Sequence, residues 1–124
     1  MSRRRSVIVR TLLLLLGGVV GCRQPPRTEA PLHLTTSVAG PDTRVTLHAD
    51  PHLKINARLA PALELVDGGV IRFSAARLTP DSAYFAEPPS ALLPGHHRQV
   101  HGTLHASVCG IDELVCRSVT VKLD

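Results

Sequence analysis

The sequence predicts an all-β domain, a sandwich of two sheets filling residues 32–124. Three observations lead there. Apolar and polar residues alternate with a period of two in several short runs, as they do in half-buried strands. Turn signals separate those runs, at Gly40-Pro41-Asp42, Asp50-Pro51 and Asp67-Gly68-Gly69. Pro80, Pro88, Pro89 and Pro94 then exclude a long regular element from residues 74–94. The chain has 124 residues, enough for one domain.

The elements follow in order. Leu32, Leu34, Thr36 and Val38 alternate with His33, Thr35 and Ser37, which predicts a first strand. Val45, Leu47 and Ala49 alternate with Arg44, Thr46 and His48 and predict a second. Asp50-Pro51 breaks that run, and residues 52–56 resume it. Residues 62–66 form a short strand, Asp67-Gly68-Gly69 a hairpin-type turn, and residues 70–73 the returning strand. Residues 74–78 allow a helical turn.

The last twenty-five residues are the most legible. Val100, Gly102, Leu104, Ala106 and Val108 share one parity, and His101, Thr103, His105, Ser107 and Cys109 the other. After the loop at 110–115, Val119, Val121 and Leu123 alternate with Ser118, Thr120 and Lys122. One antiparallel register satisfies both patterns. It sets Ala106 against Val119, Leu104 against Val121 and Gly102 against Leu123 on an inner face. On the outer face Ser107 meets Ser118, His105 meets Thr120, and Cys109 meets Cys116. A slip of one residue would ruin both faces. Many short strands in roughly 93 residues suit an immunoglobulin-like β-sandwich.

Charge and composition exclude some functions. Aromatic residues make up 2% of the chain, namely Phe73, Tyr84 and Phe85, with no Trp. No stacking platform for nucleic acid can be built from them. Arg3, Arg4, Arg5 and Arg10 all precede residue 22, and no acid does; from Cys22 onward bases and acids balance. No basic footprint for nucleic acid is left. No nucleophile–base arrangement, Gly-rich phosphate loop or paired-carboxylate geometry stands out, and no cofactor is implied.

Those four Arg precede the apolar run Thr11 to Val20. Ten residues of helix span roughly 15 Å, half of a hydrocarbon core of about 30 Å. A short apolar run with a basic flank reads as a secretory signal, residues 1–21. Its end, Val19-Val20-Gly21-Cys22, resembles the lipobox of bacterial lipoproteins. The resemblance implies cleavage before Cys22 and acylation of its sulfur, so that the lipid bilayer becomes a partner. Arg23 is not the Asp that marks inner-membrane retention, so the outer membrane is preferred, with the domain facing the periplasm. Residues 22–31, with Pro25, Pro26 and Pro31, form an extended tether.

With Cys22 lipidated, Cys109 and Cys116 are the remaining thiols. Exported chains meet oxidising surroundings, and the register places the pair within disulfide reach. Asp112 and Glu113 oppose a thiolate in this loop, while Arg117 favours one. The residues alone leave two readings open: a staple on the hairpin of a non-catalytic binding or assembly module, or a redox-active pair.

The segment from Gly102 to Cys109, a short loop, Cys116 and then Val119-Thr120-Val121-Lys122-Leu123 is similar to one known family. It resembles the N-terminal periplasmic domain of the thiol–disulfide interchange protein DsbD and its stand-alone relatives. Val45 to Asn56 resembles a strand–turn–strand segment of that family, so the likeness covers residues 43–123. It implies an immunoglobulin-like sandwich whose cysteine pair takes electrons from a membrane partner and passes them to periplasmic proteins. Cys109 and Cys116 are, by that resemblance, the exchanging pair.

His97, His101 and His105 lie four apart and suggest a surface Cu or Zn site as a further reading. On one straight strand such neighbours are about 13 Å apart, too far for a single ion with ligand distances near 2.0–2.1 Å. A bend near Gly95 or a second strand would have to gather them.

Overall fold

The computed structural model describes residues 31–111 and 115–124. The expected signal at 1–21, Cys22, the tether as far as residue 30, and Asp112 and Glu113 lie outside the described residues. Within them the chain forms eight strands and no helix. The strands are β1 (Leu32–Ala39), β2 (Asp42–Ala49), β3 (Leu53–Ile55), β4 (Ala62–Leu65), β5 (Val70–Arg72), β6 (Ser90–Pro94), β7 (Gly102–Gly110) and β8 (Cys116–Leu123).

Two antiparallel sheets result. The first has the order β1-β2-β6. The second is organised around β7, whose one edge carries β8 along its length. Its other edge is shared by β4, against residues 102–105, and β3, against residues 108–110. β5 closes the sheet beyond β4. Leu32, Val45, Leu47, Ala91 and Leu93 of the first sheet meet Ile55, Leu63, Leu104, Ala106 and Val108 of the second in one core, together with Phe73. This is the arrangement of a β-sandwich.

Local chemistry explains the joints. β1 and β2 are joined by the two-residue loop Gly40-Pro41, with Gly40 at φ 60, a conformation that glycine adopts without steric penalty. Asp50-Pro51 ends β2, and the chain resumes as β3 in the opposite sheet. In the Asp67-Gly68-Gly69 turn, Leu65 N donates to Gly69 O at 2.7 Å, and Gly69 N donates to Asp67 Oδ1 at 2.9 Å. Gly102 is required by a close approach: a Cβ there would collide with the Glu64 carbonyl oxygen on β4.

Three expectations need correction. Alternation along β1 predicts Thr36 and Val38 inward, yet both are exposed, Val38 at 75%. β1 is an edge strand, and its residues 35–38 lie exposed. Residues 74–78 form no helical turn. Ser74 instead bridges Ser90, and Leu78 bridges Phe85. Glu87 holds that segment by accepting from the amides of Ala76 and Arg77 at 3.0 and 3.2 Å. Finally, the outer face of β7 is closed near its end: Ser107 is 6% exposed and Cys109 is fully buried.

Candidate functional site

The β7–β8 ladder has the register the alternation predicts, from Gly102 against Leu123 to Cys109 against Cys116. Both cysteines sit at the last pair before the loop, and a disulfide joins them. Their Cα atoms are 4.1 Å apart. The two ends of this bond have different surroundings. Cys109, on the central strand, has 0% exposure, whereas Cys116, on the edge strand, is exposed.

A third residue completes the row. β3 pairs with β7 so that Lys54 stands directly opposite Cys109. Cys116, Cys109 and Lys54 therefore follow one another across β8, β7 and β3 on the same face. The Lys54 Nζ lies 4.8 Å from the centroid of the Tyr84 ring, a cation–π contact. Tyr84 is placed by a bridge to Asn56, the residue two beyond Lys54. Ala57 N donates to Ala83 O at 2.8 Å and Phe85 N to Ile55 O at 3.1 Å, which lays residues 83–85 along the free edge of β3. Asn56 ties the other side: its amide donates to Ser107 O at 2.8 Å, and its Nδ2 to Ser107 Oγ at 3.4 Å.

The strap leading to Tyr84 has its own lock. Asp81 Oδ1 accepts from Thr79 Oγ1 at 2.6 Å and from Ala83 N at 3.1 Å. These hydrogen bonds, the Thr79 hydroxyl first and the Ala83 amide second, hold the Asp81 carboxyl below the usual carboxylate range.

Sequence reasoning names Arg117 as the cation beside the cysteines. By register Arg117 pairs with Val108, so its side chain leaves on the face opposite the disulfide. Lys54 is the cationic residue in register with Cys109 among the described residues. Its place was hidden because the pairing of β3 with β7 joins residues more than fifty positions apart. At the hairpin end a cleft of about 580 Å³ opens, lined by Leu53, Ile111 and Val115 with His52 and Arg117. Neither cysteine lines this cleft, at whose rim Ile111 is 49% and Val115 71% exposed.

The structure does not gather the candidate histidines. β7 begins at Gly102, so His97 and His101 precede it and share no strand with His105. The His97 Nε2 bonds to Pro94 O at 2.8 Å. The His105 Nε2 lies 3.4 Å from Glu64 Oε2, and its Nδ1 lies 3.4 Å from the Thr120 hydroxyl. Among the described residues no group of three or more His, Cys, Asp or Glu is placed to hold a metal ion. A pair that spacing along one strand does not reveal is instead brought together: His33 and His48 are cross-strand partners on β1 and β2, with ring centroids 5.0 Å apart.

No protein-family model, curated protein or solved structure matches this chain.

Proposed function

We propose that this chain is a lipid-anchored envelope protein whose immunoglobulin-like domain exchanges disulfides with partner proteins through Cys109 and Cys116. The observation that carries the reading is the asymmetry of the bond, one sulfur-bearing residue exposed on an edge strand and the other sealed in the sheet. The likeness of residues 43–123 to the DsbD N-terminal domain points the same way, as do the lipobox-like Val19-Val20-Gly21-Cys22 and the balanced charge of the chain that follows.

The asymmetry orders the chemistry. A thiolate of a dithiol partner attacks the Cys116 Sγ, the end that a visitor can reach. A bond forms between the partner sulfur and Cys116, the Cys109–Cys116 bond breaks, and its electron pair stays on the Cys109 Sγ. The partner's second thiolate then attacks the partner sulfur of the mixed disulfide and releases Cys116 as thiolate. Both released sulfurs take up protons. The partner ends oxidised to a disulfide and this chain reduced by two electrons, which a disulfide-bearing protein next removes.

A second reading is favoured by the same burial: Cys109 is packed so fully that the bond serves as a staple for a non-catalytic binding module. Trapping and potential separate the two. Exchange predicts a reduction potential above about −300 mV, the range of labile rather than structural bonds. It also predicts that Cys109→Ser, which leaves Cys116 as an exposed thiol, accumulates mixed disulfides in envelope extracts, and that Cys116→Ser does not. A potential well below that line, with no adduct on either variant, leaves the staple. Radiolabelled fatty acid incorporated by the wild type and lost in Cys22→Ser tests the anchor.

A further inference from the structure

We propose that Lys54 receives the negative charge left on Cys109 when the disulfide opens, and that Tyr84 holds it there. The inference rests on the exchange reading above and names the group that makes the buried sulfur a workable leaving group. A thiolate confined at a position with no solvent exposure has no water to stabilise it, so burial alone raises the thiol's affinity for its proton and slows departure. A fixed cation on the same face reverses that.

The register supplies one. Residues directly opposite on antiparallel strands share a face, with Cβ atoms about 4.5–5.5 Å apart. Lys54 stands in that relation to Cys109 on one side, as Cys116 does on the other. Asp112 and Glu113 of the connecting loop lie outside the described residues; among the described ones, the groups facing Cys109 come from three strands and the strap. From β8 these are Cys116 and Ser118, both uncharged, with Arg117 turned to the other face. From β7 they are Ser107 and, four residues back, His105. From β3 they are Lys54 and, on the diagonal at the strand's start, His52, whose carbonyl accepts from Ile111 N. From the strap comes Tyr84. Lys54 is therefore the lysine or arginine in direct register with the buried sulfur among the described residues.

Tyr84 explains why a flexible lysine stays on this face. With Nζ 4.8 Å from the ring centroid, the ammonium rests against the aromatic surface rather than extending into solvent. When a partner thiolate takes the Cys116 sulfur, the electron pair of the broken bond arrives on the Cys109 Sγ, on the face that Lys54 shares across the β3–β7 ladder. The two form an ion pair, with no other oxidant or reductant involved.

The test uses the full chain carrying Cys22→Ser and Cys116→Ser, so that Cys109 is the one thiol, and follows thiolate absorbance against pH. Lys54→Met and Lys54→Gln raise the midpoint by about one pH unit or more, the effect of removing an opposite charge within ~4–6 Å. Lys54→Arg restores most of it, Tyr84→Leu gives part of the rise, and His52→Gln moves the midpoint less than Lys54→Met. A second measurement keeps the disulfide intact: in the Cys22→Ser chain, reduction by dithiothreitol slows by roughly threefold in Lys54→Met, as a less acidic leaving thiol requires. Unchanged midpoints and unchanged reduction rates in both neutral variants overturn the role of Lys54, whatever trapping shows. Shifted midpoints without any mixed disulfide uphold the Lys54–Cys109 pairing and sink the exchange reading instead.

Discussion

Replacing the two cysteines one at a time with serine has unequal consequences, and the inequality can be worked from burial. The bond joins positions seven apart and closes a loop of eight residues. In the chain-entropy account such a closure stabilises by about 2.5 kcal/mol. Cys116→Ser loses that amount and little else, because position 116 is exposed. Cys109→Ser loses the same closure and also places a hydroxyl at a position with 0% exposure. An unsatisfied buried hydroxyl costs about 1–3 kcal/mol by protein mutational measures. Cys109→Ser is therefore less stable than Cys116→Ser by that margin. Urea unfolding followed by far-ultraviolet circular dichroism, with Cys22→Ser in every sample, reads both numbers. Reducing the wild type lowers it toward the Cys116→Ser curve and leaves both serine variants where they are. Equal stability of the two variants would refute the asymmetry on which the order of sulfur attack depends.

Other expectations follow from the same structure. Leu104→Ala, at a fully buried site on the central strand, destabilises by about 2–5 kcal/mol, whereas Val38→Ala on the exposed end of β1 changes stability by no more than about 0.5 kcal/mol. Denaturation midpoints of the pair check this. Gly102→Ala drives a methyl group into the Glu64 carbonyl and costs about 1–3 kcal/mol, with amide exchange quickening first along β4. The Asp81 carboxyl is held below its ordinary value, so its contribution is complete above the unfolded-state value and fades as pH falls through the lower folded one. The Ala83 amide, protected from exchange at neutral pH, accordingly loses protection in acid, and Asp81→Asn weakens that protection at neutral pH.

Much of the second sheet could be read from the alternation of residues. The β7–β8 register followed because Gly102, Leu104 and Ala106 on one parity and Ser107 and Cys109 on the other permit a single pairing with β8. The β4–β5 turn followed from Asp67-Gly68-Gly69. What escaped has physical causes. β6 lies between Pro88-Pro89 and Pro94 and so looks unfit for a strand. It is an edge strand, and Pro94 closes it opposite Asp42, where a missing amide proton is tolerated. Lys54 escaped because period-two reasoning finds hairpin neighbours, while β3 reaches β7 only after Asp50-Pro51 has carried the chain across to the other sheet. Arg117 was misjudged for a simpler reason: adjacency in sequence to Cys116 turns its side chain away, because neighbours on a strand point to opposite faces.

The placement of Tyr84 has a practical consequence. It is the chain's single tyrosine and there is no tryptophan, so all useful intrinsic emission comes from the ring over which Lys54 rests. Opening the disulfide alters the charge balance one strand away from that ring. On the Lys54 proposal, Tyr84 emission is therefore expected to change as the disulfide is opened, a signal that dithiothreitol titration in a fluorimeter reads without any label.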